Sequence, residues 1–137
     1  MRPLSTPLHS GLICGREVRF FRSPLSGPDF PWHSVDDLHL ALRFPRELRR
    51  HFKAMLQRDW GGKVRTIATQ RGVTTIAPHP MAQGLIESLE DFGGPPSGAA
   101  DDYARTAGEA LQALTASMPP EAAVRYSMAA FNRGGGL

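Results

Sequence analysis

The residues best suited to chemistry in this chain are the cations between positions 43 and 71. This block holds nine Lys and Arg residues against two acids, a net charge of +7, whereas all 137 residues together carry only +3. Cations at this density are typical of a surface that meets phosphate or an acidic partner. Seven of them form the candidate nucleic-acid-binding set: Arg43, Arg46, Arg49, Arg50, Lys53, Lys63 and Arg65.

A helix from Pro45 to about Arg58 is predicted to carry most of these cations. Two stripes recur in it at helical spacing. The apolar stripe consists of Leu48, Phe52, Met55 and Leu56. The basic stripe consists of Arg46, Arg49, Arg50, Lys53 and Gln57. The basic groups are therefore expected to project together from one side of the helix, opposite a face that packs against the protein.

A shorter helix is predicted just before it, beginning at Ser34. The Ser34 side chain can cap its first turn, and Asp37 three residues later completes the pattern of a capping box. Pro45 forces a break after this short helix and suits the start of the next one. Two such helices with a basic second member resemble a helix-turn-helix, in which the second helix enters a groove of duplex DNA. The predicted hairpin after them, residues 63–77, adds cations in the manner of a wing.

The fold class expected from the whole chain is α+β, with β-hairpins packed on the helix-turn-helix-like pair. A strand over residues 17–22 is followed by a short returning strand over residues 30–33. Because Pro31 has no amide hydrogen, we expect this second strand at a sheet edge. With the helix around residues 81–89 the predicted order is ββααββα, and two short C-terminal helices follow.

Composition divides the chain into five segments. Residues 1–15 are rich in Pro, Ser and Gly and are expected to be a flexible arm, before a DNA-binding domain over residues 16–92. Residues 93–100 have the composition of a linker. Residues 101–132 are expected to form a helical extension whose first helix is capped by Asp101, and residues 133–137 form a tail. Because these last helices show apolar stripes with little core of their own, they are expected either to fold back on the main body or to pack against a second copy, which makes residues 101–131 a candidate homodimer surface.

Several function classes are disfavoured by the residues present. The five histidines lack companions at metal-ligand spacing and are expected at the surface or at its boundary, and the adjacent Asp36 and Asp37 suit a helix start better than a metal site. No catalytic nucleophile motif or phosphate-binding glycine loop is present. We therefore expect a non-enzymatic protein without metal or cofactor. The lack of a long apolar segment and the single Cys14 favour a cytoplasmic protein that does not cross a membrane.

Short motifs in residues 12–92 resemble the Bro-N domain, which opens many phage antirepressors and baculovirus Bro proteins. They are Glu17-Val18-Arg19-Phe20, the segment from Pro31 to Leu38, the segment from Pro45 to His51, the hairpin, and the segment from Met81 to Ile86. The resemblance implies a small α+β nucleic-acid-binding module of phage or other mobile elements, with antirepressor-type transcription regulation. The chain differs from the family in two places: Arg43 stands where a Gly is usual, and two short helices replace the larger C-terminal domain of many relatives.

Three functions follow as hypotheses. The first is DNA binding, mainly through about five phosphates, with a slope of log K against log salt of roughly −4 to −5. The second is an inhibitor that docks the same basic face on an acidic protein partner, because electrostatic complementarity serves either kind of partner. The third is a nuclease assisted by magnesium. The sequence leaves open the target site, the choice between DNA and RNA, and the identity of any repressor or host protein.

Overall fold

The structure, a computed structural model, describes residues 3–90, 94 and 96–135. Within them, a five-stranded antiparallel sheet and five helices confirm the expected α+β class. The elements in chain order are β1 (His9–Ile13), β2 (Arg16–Phe21), β3 (Trp32–Ser34), α1 (Val35–Ala41), α2 (Arg46–Trp60), β4 (Arg65–Thr69), β5 (Gly72–Ala77), α3 (His79–Glu90), α4 (Ala99–Thr115) and α5 (Pro120–Gly135). A 3₁₀ turn, Gly61–Lys63, joins α2 to β4.

The two predicted hairpins merge into one sheet with the strand order β1-β2-β3-β5-β4. The strand expected at an edge, β3, therefore lies at the centre, where it pairs with both β2 and β5. This correction has a simple cause. The strand begins at Trp32, so Pro31 stands just before it and its missing amide removes no hydrogen bond from either ladder.

The first strand, β1, was not predicted. Residues 1–15 were expected to form a flexible arm, but they contain this strand. His9 to Ile13 pair in register with Phe20 to Arg16 of β2. Gly11 makes the neighbouring helix contact possible: a methyl group at this position would stand 2.5 Å from Thr106 Cγ2 of α4. The segment rich in Pro, Ser and Gly that suggested a loose arm thus contains an edge strand, and α4 packs closely on this strand. Residues 1 and 2 of the expected arm lie outside the described residues.

The first turn of α1 completes the sheet where β3 ends. β3 stops at Ser34, which leaves amide hydrogens of the two neighbouring strands without a strand partner. The Asp37 carboxylate accepts the amide of Arg19 in β2 at 3.0 Å, and the Asp36 carboxylate accepts the amide of Thr75 in β5 at 3.0 Å. These acids therefore hold the start of α1 between two strands.

The start of α1 shows the local chemistry that the sequence indicated. Ser34 caps the helix, since its hydroxyl accepts the amide of Asp37 at 3.1 Å. At the other end Arg43 has a φ of 65°, the left-handed conformation that usually favours glycine. Its guanidinium donates to the carbonyl of Cys14 at 2.8 Å, which supports the turn.

Of the two arrangements expected for the C-terminal helices, α4 adopts the first: it folds back on the main core. α4 begins at Ala99, two residues before its expected Asp101 cap, and it buries Tyr103, Ala107 and Ala110 in one hydrophobic cluster with Val18 and Phe20 of β2. α5 is less covered, and Ala130 is its only buried hydrophobic residue among those described. The expected boundary at residues 92 and 93 and the tail end at 136 and 137 lie outside the described residues.

Candidate nucleic-acid interface

The predicted basic helix exists as α2, fifteen residues and about 22 Å long. None of its residues is fully buried. It rests on the protein through Phe52, which packs against the main core, and Leu56, which packs against a cluster that includes Val35 and Val64. Most of the surface of α2 consequently faces solvent.

Arg46 and Arg50 form the most accessible part of the predicted basic stripe. They are one helical turn apart on the same face, and both are exposed. Within the described part of the chain, neither side chain has a hydrogen bond or ion pair. Their two positive charges are therefore available to an external anion.

Arg43, Arg49 and Arg65 are each engaged by backbone carbonyls. Arg49 Nη1 donates to the Phe44 carbonyl at 2.9 Å, and Arg65 Nη1 donates to the Val64 carbonyl at 3.0 Å. Arg43 is held by Cys14, as described above. A carbonyl leaves the guanidinium charge uncompensated and other N–H groups unused. These residues add positive potential but have less freedom to move toward a ligand.

Lys53 differs from the other cations because the protein neutralises it. Its ammonium group lies 2.7 Å from the Asp36 carboxylate. Burial alone would raise the pKa of Asp36, but hydrogen bonds from Lys53, the Thr75 amide and the Thr74 hydroxyl outweigh it and hold that pKa below its usual value. Lys53 was predicted to lie on the contact surface, but its charge is already paired with Asp36 inside the protein. Its structural role is to tie α2 to α1 and β5.

Lys63 and the hairpin lie at the C-terminal end of α2. Lys63 is exposed in the 3₁₀ turn, and among the described residues its ammonium has no hydrogen-bond or ion-pair partner. At the hairpin tip, Arg71 is paired with Glu17 of β2, which lowers the pKa of Glu17 through the hydrogen bond. Within the described residues, three cations of the predicted set therefore have neither a hydrogen bond nor an ion pair: Arg46, Arg50 and Lys63. They lie at the two ends of α2.

Exposed apolar side chains accompany this basic surface. Leu48 is 37% exposed and Trp60, the last residue of α2, is 48% exposed. Leu48 belongs to the stripe predicted to pack inward, so the apolar stripe of α2 is only partly covered. A surface that combines cations with an exposed indole suits either a nucleic acid or a protein partner.

Two of the five histidines lie elsewhere than expected, whereas His9, His51 and His79 are exposed or partly buried. His33 and His39 are buried in the core, each only 2% exposed, instead of lying at the surface. The Nδ1 atoms of both rings have no hydrogen-bond partner among the described residues. No cluster of three or more His, Cys, Asp or Glu side chains that would suit a metal occurs in the portion described.

The fold and the site thus define a small α+β protein with a solvent-facing basic helix. No protein-family model, curated protein or solved structure matches the chain. The resemblance to Bro-N domains therefore stays a prediction from the sequence motifs. Across the residues described, no helix has the length and apolar character needed to cross a membrane.

Proposed function

We propose that this chain is a non-enzymatic DNA-binding regulator of the type carried by phages and mobile elements, and that α2 is its contact helix. The observation that carries the proposal is the pair Arg46 and Arg50, exposed one turn apart without an internal partner among the described residues. The net charge of the surrounding block supports it. The Bro-N-like motifs supply the regulatory class.

The contacts proposed are mainly to phosphates. Arg46, Arg50 and Lys63 reach the backbone directly, while Arg43, Arg49 and Arg65 add positive potential from fixed positions. Lys53 positions the helix through Asp36. Phosphate contacts set affinity and orientation but carry no sequence information, so duplexes of different sequence should bind with similar affinity.

The salt dependence of binding tests this arrangement. With about three phosphates neutralised by Arg46, Arg50 and Lys63, log K should fall against log salt with a slope near −2.7. The double variant Arg46→Ala/Arg50→Ala removes two of these contacts, so its slope should be shallower by about 1.8 and its affinity at low salt at least tenfold weaker. Fluorescence anisotropy with a labelled random duplex, at several salt concentrations, measures both quantities.

A matched control separates geometry from net charge. Arg22→Ala/Arg125→Ala also removes two exposed charges, but from a loop and from α5. Its affinity should stay within about twofold of the unmodified protein at moderate salt, because both sites lie outside the proposed surface. Equal losses in the two double variants, or a flat salt dependence of the unmodified protein, would contradict the proposed surface.

A second candidate function is inhibition of an acidic protein through the same face. It is favoured by the exposure of Leu48 and Trp60, since a protein partner would bury both. The substitution Trp60→Ala distinguishes the two: it should abolish capture of an acidic host or repressor protein while leaving the salt slope with DNA unchanged. A gel shift with random duplex beside a pull-down from host lysate gives the direct comparison.

We further propose that this protein is cytoplasmic and forms a homodimer through α5. The apolar face of α4 is covered by the core, so α4 is excluded as the dimer surface. The remaining candidates within residues 101–131 are Val124, Met128 and Phe131, which share one side of α5 and are 58–62% exposed. Met128→Glu should convert a dimer to a monomer in light scattering, and Gln112→Glu, on the exposed side of α4, should not. A monomer in the unmodified protein at high concentration would overturn this proposal.

A further inference from the structure

A cavity of about 330 Å³ lies beyond the C-terminal end of α2 and shares Lys63 with the proposed DNA-contact surface. It is enclosed by the loop before β3, the 3₁₀ turn, the start of α3 and the end of α5. Phe30, Trp32, Pro78 and Pro80 give it apolar walls. The volume is at the lower end of the range of small-molecule sites, which are typically apolar with a few polar groups.

The aromatic wall of the cavity is held in place by stacking and hydrogen bonds. The ring of Phe30 stacks on His79 with centroids 4.6 Å apart, and His79 stacks in turn on the buried Tyr103 at 5.4 Å. His79 Nδ1 and the Tyr103 hydroxyl are 3.0 Å apart. The wall is therefore preorganised, which lowers the entropic cost of binding a flat ligand against it.

Three positive features line the same cavity. Lys63 and Arg133 contribute their charges. Arg133 is fixed across the opening because its Nη1 donates to the Ser26 carbonyl at 2.8 Å, which leaves other N–H groups of the guanidinium for a ligand. The N-terminal end of α3, at His79 and Pro80, adds the positive end of a helix dipole.

The one acid in the lining, Asp29, is occupied by the protein itself. Its carboxylate accepts the Ser23 hydroxyl at 2.6 Å, the Phe30 amide at 2.9 Å and the Trp32 indole N–H at 3.1 Å. Its charge offsets one of the two cations, so the lining has a net charge of about +1. A ligand with a single negative charge would bring the net charge of the occupied cavity to about zero.

We propose that this cavity is a binding site for a small aromatic monoanion of the carboxylate class. The ring lies in the apolar part of the cavity, and the carboxylate accepts hydrogen bonds from Lys63 and Arg133. This site does not depend on the proposed DNA-binding function, because binding is measured on the free protein.

Calorimetric titration with 2-naphthoate and its neutral isostere 2-naphthamide tests the assignment. The carboxylate should bind at least tenfold more tightly than the amide, since only the carboxylate meets the two cations. Lys63→Met and Arg133→Met should each weaken naphthoate binding about tenfold without changing naphthamide binding. Arg65→Met removes a charge two residues from Lys63 but outside the lining, and should leave both affinities unchanged.

Three results would overturn the proposal. Equal affinity for the acid and the amide would show that the cations do not reach the ligand. An equal loss in Arg65→Met would show a non-specific charge effect. No saturation by naphthoate up to about 1 mM would show that the cavity does not bind this class. Lys63 is exposed, so its variant should retain the fold and keeps the test valid if Arg133→Met loosens α5.

Discussion

The substitution Asp37→Asn is expected to lower the free energy of unfolding by about 3–5 kcal/mol. Arg19 is only 7% exposed, and Asp37 is its charge partner: Nε lies 2.7 Å from Oδ2 and Nη2 lies 3.1 Å from Oδ1. Asparagine preserves the shape but leaves a buried guanidinium without a counter-charge. Urea unfolding followed by circular dichroism measures the loss.

Two further variants make this result specific. Glu17→Gln breaks the ion pair with Arg71, which is exposed, and should cost less than about 1 kcal/mol. The double variant Arg19→Met/Asp37→Asn removes the buried guanidinium as well, keeps a side-chain oxygen for the Arg19 amide, and should recover at least half of the loss. If Asp37→Asn stays within about 1 kcal/mol of the unmodified protein, the pair does not stabilise the fold as described.

The second large effect is a loss of stability in mild acid. Burial lowers the pKa of His33 to about 3, with further repulsion from His79 and His39, and burial lowers the pKa of His39 to about 4. In the unfolded chain both pKa values are near 6.5. Below that pH the unfolded state therefore binds protons that the folded state does not, and stability falls as the pH falls. His33 and His39 should together lower the free energy of unfolding by about 3–4 kcal/mol between pH 7 and pH 5, and His79, whose pKa burial also lowers, adds to this drop.

Urea unfolding at pH 7, 6 and 5 checks this dependence. The carboxylates with lowered pKa values, Asp36 and Glu17, lose their contribution only at lower pH, so this window isolates the histidines. His39→Leu should remove about half of the drop, whereas His51→Gln, at an exposed position on α2, should leave it unchanged. A stability that is constant across the window would show that these rings titrate normally.

Much of the fold could be predicted from local patterns. The capped start of α1, the break at Pro45, the two stripes of α2 and the hairpin are all encoded in short segments. β1 could not be predicted, because its strand structure depends on pairing with β2 and on the contact of Gly11 with a helix almost a hundred residues later. The central position of β3 likewise depends on β5, which lies more than thirty residues further along the chain.

The candidate site could be predicted only in part. Periodicity placed the cations on one helix, and the structure confirms that helix. Periodicity gave no indication that Lys53 pairs with Asp36, seventeen residues earlier, because no local sequence pattern indicates a tertiary ion pair. The role of the candidate interface in binding DNA remains a prediction. The cavity was missed for the same reason, since its lining comes from four separate segments.

The ion pair between Lys53 of α2 and Asp36 of α1 has a consequence for how the protein opens. α2 has no fully buried side chain, and Lys53 joins it to an acid that also holds β5. Segments with few buried contacts unfold locally at a lower free energy than the whole domain. We therefore expect α2 to exchange its amide hydrogens faster than β2 or β5, so that a bound polyanion would slow exchange in this helix first.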